Sequence, residues 1–109
     1  MADVLGLFEQ AVLLAVVRLR EDAYGRAILK DVQARIERDV AAGAVHATLE
    51  RLENKGLLSS RLGAGTPVRA GRARRYYRLQ PAGIRALADA RAAVKTIWHG
   101  VGWPLKGRA

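Results

Sequence analysis

A mainly α fold with one small two-stranded antiparallel sheet is predicted by three observations. Three stretches of helical periodicity precede Gly56, two short runs flank a Gly- and Arg-rich segment at residues 63–74, and a fourth helical stretch follows Gln80-Pro81. At 109 residues the chain is one domain, long enough for a small core and short enough to gain stability from a partner subunit. Half of it is apolar, and one Phe, two Trp and three Tyr are its only aromatic residues, so the core is aliphatic.

Leu5 to Leu19 is apolar on almost every face, which predicts a helix buried all round, by its own domain and by a second subunit. Glu21-Asp22 ends it. Asp22 is placed to cap a second helix whose first turn is Ala23-Tyr24-Gly25. There Ile28, Val32 and Ile36 recur at i, i+4 and i+8, one buried stripe on a surface helix.

A third helix is predicted from Ala42 to Lys55, with Gly56 at its C-cap. Val45, Leu49 and Leu52 fall within a sector of about 60° and form its buried face. Ala44, Ala47, Glu50, Arg51 and Asn54 turn away, with His46 and Thr48 on the two flanks. Beyond Gly56 the run L-L-S-S-R-L suits a strand. Gly63 to Arg74 cannot hold a helix and reads as a loop. R-Y-Y-R-L then alternates, with Arg75, Tyr77 and Leu79 on one face and Tyr76 and Arg78 on the other, as a returning strand. Two strands alone are marginal, so Leu57, Leu79 and one tyrosine are expected to fasten the hairpin to the helices.

Pro81 suits the first turn of a fourth helix. Ile84, Leu87, Val94 and Trp98 follow a 3-and-4 spacing, with Arg91 interrupting and Ile97 beside it. That stripe fits packing on a partner subunit; the alternative is packing on the first helix of the same chain. From Gly100 onward the tail is expected to be flexible, with Trp103 its one large anchor.

The net charge of +9 is concentrated. Residues 1–60 carry eight Lys/Arg and nine Asp/Glu, whereas residues 61–85 carry seven arginines and no acid. A basic patch on a balanced domain is the footprint of polyanion binding. There is no cysteine, and the two histidines, His46 and His99, have no acidic cluster near them, so no metal or cofactor is expected. No His, Ser and Asp fall into a catalytic grouping, which argues against an enzyme. The longest apolar run, Ala11 to Val17, is far short of the roughly 20 residues that span a bilayer, and no signal peptide opens the chain. A cytoplasmic protein without membrane contact is expected.

The order helix, helix, helix, strand, basic loop, strand, helix is that of a winged helix-turn-helix domain. L-G-L-F-E-Q-A-V-L-L-A-V, D-A-Y-G at Asp22 to Gly25, G-A-V-H-A-T-L-E-R-L-E-N-K-G-L-L from Gly43 to Leu58, and R-R-Y-Y-R-L-Q-P-A-G from Arg74 to Gly83 resemble the PadR-like family of bacterial transcriptional regulators. The resemblance covers about residues 5 to 90. It implies a winged helix-turn-helix DNA-binding domain over residues 5–80, a C-terminal dimerisation helix over 81–99 and a flexible tail over 100–109, the layout of the family's compact branch. It further implies a homodimeric repressor whose third helix enters the major groove of a palindromic operator on double-stranded DNA. Some family members release DNA when a phenolic acid or another flat aromatic compound binds near the dimer interface. Two positions depart from the family pattern: His46 stands where a tyrosine is usual, and Ala41 where a capping serine is common.

On this reading the positioning and reading roles divide. Arg51, Lys55, Arg69, Arg72 and Arg74 are the candidate phosphate contacts. Gly43, Ala44, His46, Ala47 and Thr48 are the candidates for the groove floor. With no Asn or Gln there, direct readout is sparse, and half-site spacing and DNA shape are expected to supply part of the specificity. Leu7, Phe8, Val12, Ile84, Leu87, Arg91, Val94 and Trp98 are the candidate dimer contacts, and Ile97 and Trp98 the lining of an aromatic effector slot. The alternative function is a winged-helix module that binds protein, or nucleic acid without sequence preference, and has no effector response.

Overall fold

The computed structural model describes residues 4–63 and 74–107. The elements follow the predicted order: α1 (Leu7–Leu19), a 3-10 turn (Arg20–Asp22), α2 (Gly25–Ile36), α3 (Ala42–Asn54), β1 (Leu58–Leu62), β2 (Arg75–Leu79) and α4 (Pro81–Ile97). Val12, Leu13, Ala15 and Val16 of α1 meet Ile28 and Val32 of α2 and Val45, Leu49 and Leu52 of α3 in one aliphatic core. Leu58 and Tyr77 carry the hairpin into that core, with Leu57 and Leu79 partly buried beside them.

β1 and β2 pair antiparallel, from Leu58 opposite Leu79 to Leu62 opposite Arg75. Asp22 does not cap α2. Its carbonyl accepts the Tyr24 N–H at 3.0 Å within the 3-10 turn, and the N-cap is Tyr24, without a side-chain bond. The reason lies in the sheet: Tyr77 N–H donates to the Ala23 carbonyl at 2.8 Å, and Tyr24 bridges Tyr76. Extended backbone at Ala23-Tyr24 thus adds a rung to a ribbon that would be marginal as two strands.

The turn between α2 and α3 is held by Gln33, whose side-chain amide donates to the Val40 carbonyl at 3.0 Å. α3 ends in a Schellman arrangement: Gly56 takes φ +77°, its N–H bonds the Glu53 carbonyl at 2.9 Å, and Leu57 N–H bonds the Leu52 carbonyl at 3.0 Å. Glycine is required there because a side chain strains the left-handed conformation. At the root of the wing, Gly83 lets α4 press on the hairpin; a Cβ would strike the Leu57 carbonyl and the Leu79 side chain.

Within one protomer α1 is buried on one side only, the part of the expectation that its own domain can meet. Its inner face is covered, but Leu7 is 78% exposed, and Leu14 and Val17 are exposed as well. One protomer has only enough helices to cover one side of α1. Val12, expected at a dimer interface, is 0% exposed and lies wholly within the protomer's own core. Leu87 is also turned inward, packed with Ala86 against that core, where Ala90 is buried. Ile84, Val94, Ile97 and Trp98 remain exposed along α4. Trp103 packs edge-to-face on Trp98 with ring centroids 5.9 Å apart. No described helix is long and apolar enough to cross a membrane.

Candidate nucleic-acid interface

Periodicity decides the two sides of α3. Val45, Leu49 and Leu52 are buried, and Gly43, Ala44, His46, Ala47, Glu50, Arg51, Asn54 and Lys55 are exposed. Thr48 is the correction. It is only 3% exposed, and its Oγ1 accepts a hydrogen bond from Arg51 Nη2 at 3.4 Å, so it belongs to the inner face. The outer face is therefore small at its amino-terminal half. Gly43 has open space around it, with nothing within 4 Å of an added Cβ. Small side chains let a helix axis approach closely, and a major groove about 12 Å wide admits such a helix.

Beside this face runs an open groove that joins three elements. Arg26 and Lys30 of α2, His46 of α3, and Arg74 and Arg75 at the start of the returning strand line it, with no acidic residue among its described walls. Arg26, Lys30 and Arg75 were not singled out from sequence. The i, i+4 spacing of Arg26 and Lys30 marks one helix face, but only the fold turns that face toward α3.

Arg74 is held by stacking. Its guanidinium lies 4.2 Å from the Tyr24 ring centroid, Tyr24 meets Tyr76 edge-on at 5.8 Å, and Arg61 covers Tyr76 at 5.2 Å. Gly63 permits this ladder, because a Cβ there would come within 2.6 Å of the Tyr76 ring. Behind it, Ser60 donates to Glu53 at 2.6 Å and accepts from Arg75 at 2.9 Å, which ties the wing to α3. Burial pushes the Tyr77 hydroxyl above its usual range, and the charge of Glu53 adds to the shift.

Arg51 and Lys55 project from the carboxyl-terminal half of α3, each 3.5 Å from Glu9 Oε2 on α1. Burial works against the Glu9 charge. The Gly6 N–H bond and the nearby Lys55 and Arg51 outweigh it and hold the carboxyl below the ordinary range. Arg69 and Arg72, the other candidate phosphate contacts, lie outside the described residues. Among the described residues no His, Asp and Glu group has the makings of a metal site.

Three helices, a hairpin wing and an outward third helix flanked by cations define a winged helix-turn-helix domain of the DNA-binding class. The chain belongs to the Transcriptional regulator PadR-like family, whose model matches residues 13–89. A PadR family regulator from Eggerthella lenta is similar at 34% identity, over 84% of this chain and 77% of that one, with a TM-score of 0.64. A PadR-like regulator from Bacillus cereus shares the fold over 94% of this chain and 95% of its own, with a TM-score of 0.73 at 21% identity. A Bordetella bronchiseptica protein whose DNA binding is regulated by 6-hydroxynicotinic acid shares the fold at 17% identity, with a TM-score of 0.62 over 94% of this chain and 73% of that one. No curated protein matches. The chain is a transcriptional regulator and not an enzyme, as the family and its solved relatives are.

Proposed function

We propose that this regulator is a homodimeric repressor that binds a palindromic operator, with α3 in the major groove and the wing on the flanking backbone. The observation that carries the reading is the outward face of α3: glycine and alanine at its leading half, and His46, Arg51 and Lys55 around it. Gly43, Ala44, His46 and Ala47 approach base edges, while Arg51, Lys55, Arg74 and, from the sequence, Arg69 and Arg72 contact phosphate. Arg26, Lys30 and Arg75 in the adjoining groove add to the phosphate contacts. A gel-shift titration against the duplex upstream of its own gene tests this. Saturable binding that survives excess unrelated competitor is expected; binding abolished by any competitor favours the non-specific module instead.

The second copy covers the apolar strip of Leu7, Ile84, Val94 and Trp98, with part of Phe8 and the rim residue Arg91. Leu7, Ile84, Val94 and Trp98 are exposed on the protomer, and a contiguous apolar patch of such side chains is what marks an interaction site. Ile97, at 76% exposure, and the Trp98–Trp103 pair offer a flat aromatic effector an apolar seat beside that strip. Tryptophan quenching by such compounds is expected to weaken in Trp98→Phe. Identical saturation in both proteins removes Trp98 from the seat.

A further inference from the structure

One carboxylate joins the amino-terminal turn of α1 to the far end of α3. Glu9 Oε1 accepts the Gly6 N–H at 3.1 Å and caps α1. Glu9 Oε2 lies 3.5 Å from Arg51 Nε and 3.5 Å from Lys55 Nζ. The Glu9 side chain is 16% exposed, against 50% for each of the two cations. Arg51 and Lys55 are i, i+4 neighbours, so a single, mostly covered anion holds both head groups from one side of the helix. Thr48 Oγ1 fixes Arg51 from a second direction at 3.4 Å.

We propose that Glu9 is a specificity-determining residue, a positioning anion that restrains Arg51 and Lys55 until α3 is seated on its own site. The inference rests on the DNA-binding reading above. Binding to unrelated sequence is driven almost wholly by cations displacing counterions from phosphate. Beside Arg51 and Lys55, Glu9 adds a negative charge to those of Glu50 and Glu53 on the same turns of α3, so it weakens the attraction that every duplex exerts alike. On a matched site, short-range contacts along α3 are made as well. There the same anion helps by presenting Arg51 and Lys55 already ordered, which lowers the entropy lost on binding. Glu9 thereby opposes non-specific binding more than specific binding, and the difference between the two is specificity.

Glu9→Gln separates charge from structure, because glutamine can serve the same reciprocal cap as glutamate. Binding is measured across a salt series for the operator selected from a random pool and for a scrambled duplex. The variant is expected to bind the scrambled duplex about fivefold more tightly, the effect of releasing two ion pairs whose cations are half-exposed. Operator affinity is expected to stay level or fall, and the salt slope on scrambled DNA to steepen by about one. Glu9→Ala, which also loses the cap, is expected to show the same gain at lower stability, so a folding defect in one variant does not shelter the idea. In an Arg51→Gln/Lys55→Gln background the gain should vanish. Scrambled-duplex affinity that is unchanged or weaker in both Glu9 variants overturns the proposal, as does a gain that persists without the two cations. A wild-type protein that binds no duplex at low salt overturns the DNA-binding reading and this inference together; specific wild-type binding with an inert Glu9 overturns this inference alone.

Discussion

The protomer leaves two faces uncovered, and their chemistry is opposite. On α3 the exposed side chains are small or charged, from Gly43 and Ala44 to Arg51 and Lys55. On α1 and α4 they include Leu7, Leu14, Val17, Ile84, Val94 and Ile97, among charged residues such as Arg18, Arg85, Asp89 and Lys95. The first face suits a hydrated polyanion, where cations displace counterions and a slender helix fits a groove. The second suits a dry contact, since each Å² of apolar surface removed from water contributes about 25 cal/mol. Exposure alone therefore says little about what covers a surface, and side-chain chemistry divides the two.

The largest separation of the faces is expected from charge placed in the apolar one. Val94→Glu with Ile97→Glu should sediment with the mass of one protomer where wild type has that of two. Operator affinity should fall about a hundredfold or more, because two half-sites are no longer engaged together. Helical content should hold, as both side chains are exposed in the protomer. A wild-type protein that sediments as a monomer would erase the distinction. Gly43→Leu tests the other face. It has open space and replaces a poor helix former, so its melting temperature should not fall. Operator binding should weaken by about tenfold or more as bulk enters the groove-facing side, with the sedimented mass unchanged; undiminished binding would show that α3 does not face DNA. The smallest effect is expected from Ala41→Ser. α3 has no side-chain cap, and a serine there should add about 1 kcal/mol of stability in urea unfolding. It lies outside the apolar strip, so subunit mass should not respond.

The order of elements was legible in the sequence. Val45, Leu49 and Leu52 set the inner side of α3, Gly56 set its end, and R-Y-Y-R-L set the returning strand with the predicted alternation. The flank of α3 was less legible. Thr48 sits at the edge of the buried sector, and its burial depends on how far the neighbouring elements extend over it. The α2 cap was misread for a related reason: Ala23-Tyr24 pairs with β2, and a capping rule that looks only along the chain has no view of that partner. Val12, on a helix apolar on almost every face, and Leu87, in the apolar stripe of α4, were expected at the subunit contact, yet both turn to the protomer's own core.

By itself the sequence determined which segments are helix and strand, where positive charge is concentrated, and which family the chain resembles. These follow from periodicity, turn chemistry and composition, which act between near neighbours. Only the tertiary structure decided that Arg26 and Lys30 join His46, Arg74 and Arg75 around one groove, and that Glu9 reaches across to Arg51 and Lys55. Coulombic and stacking contacts depend on distance in space, and packing of the aliphatic core is what brings these distant parts of the chain within that range.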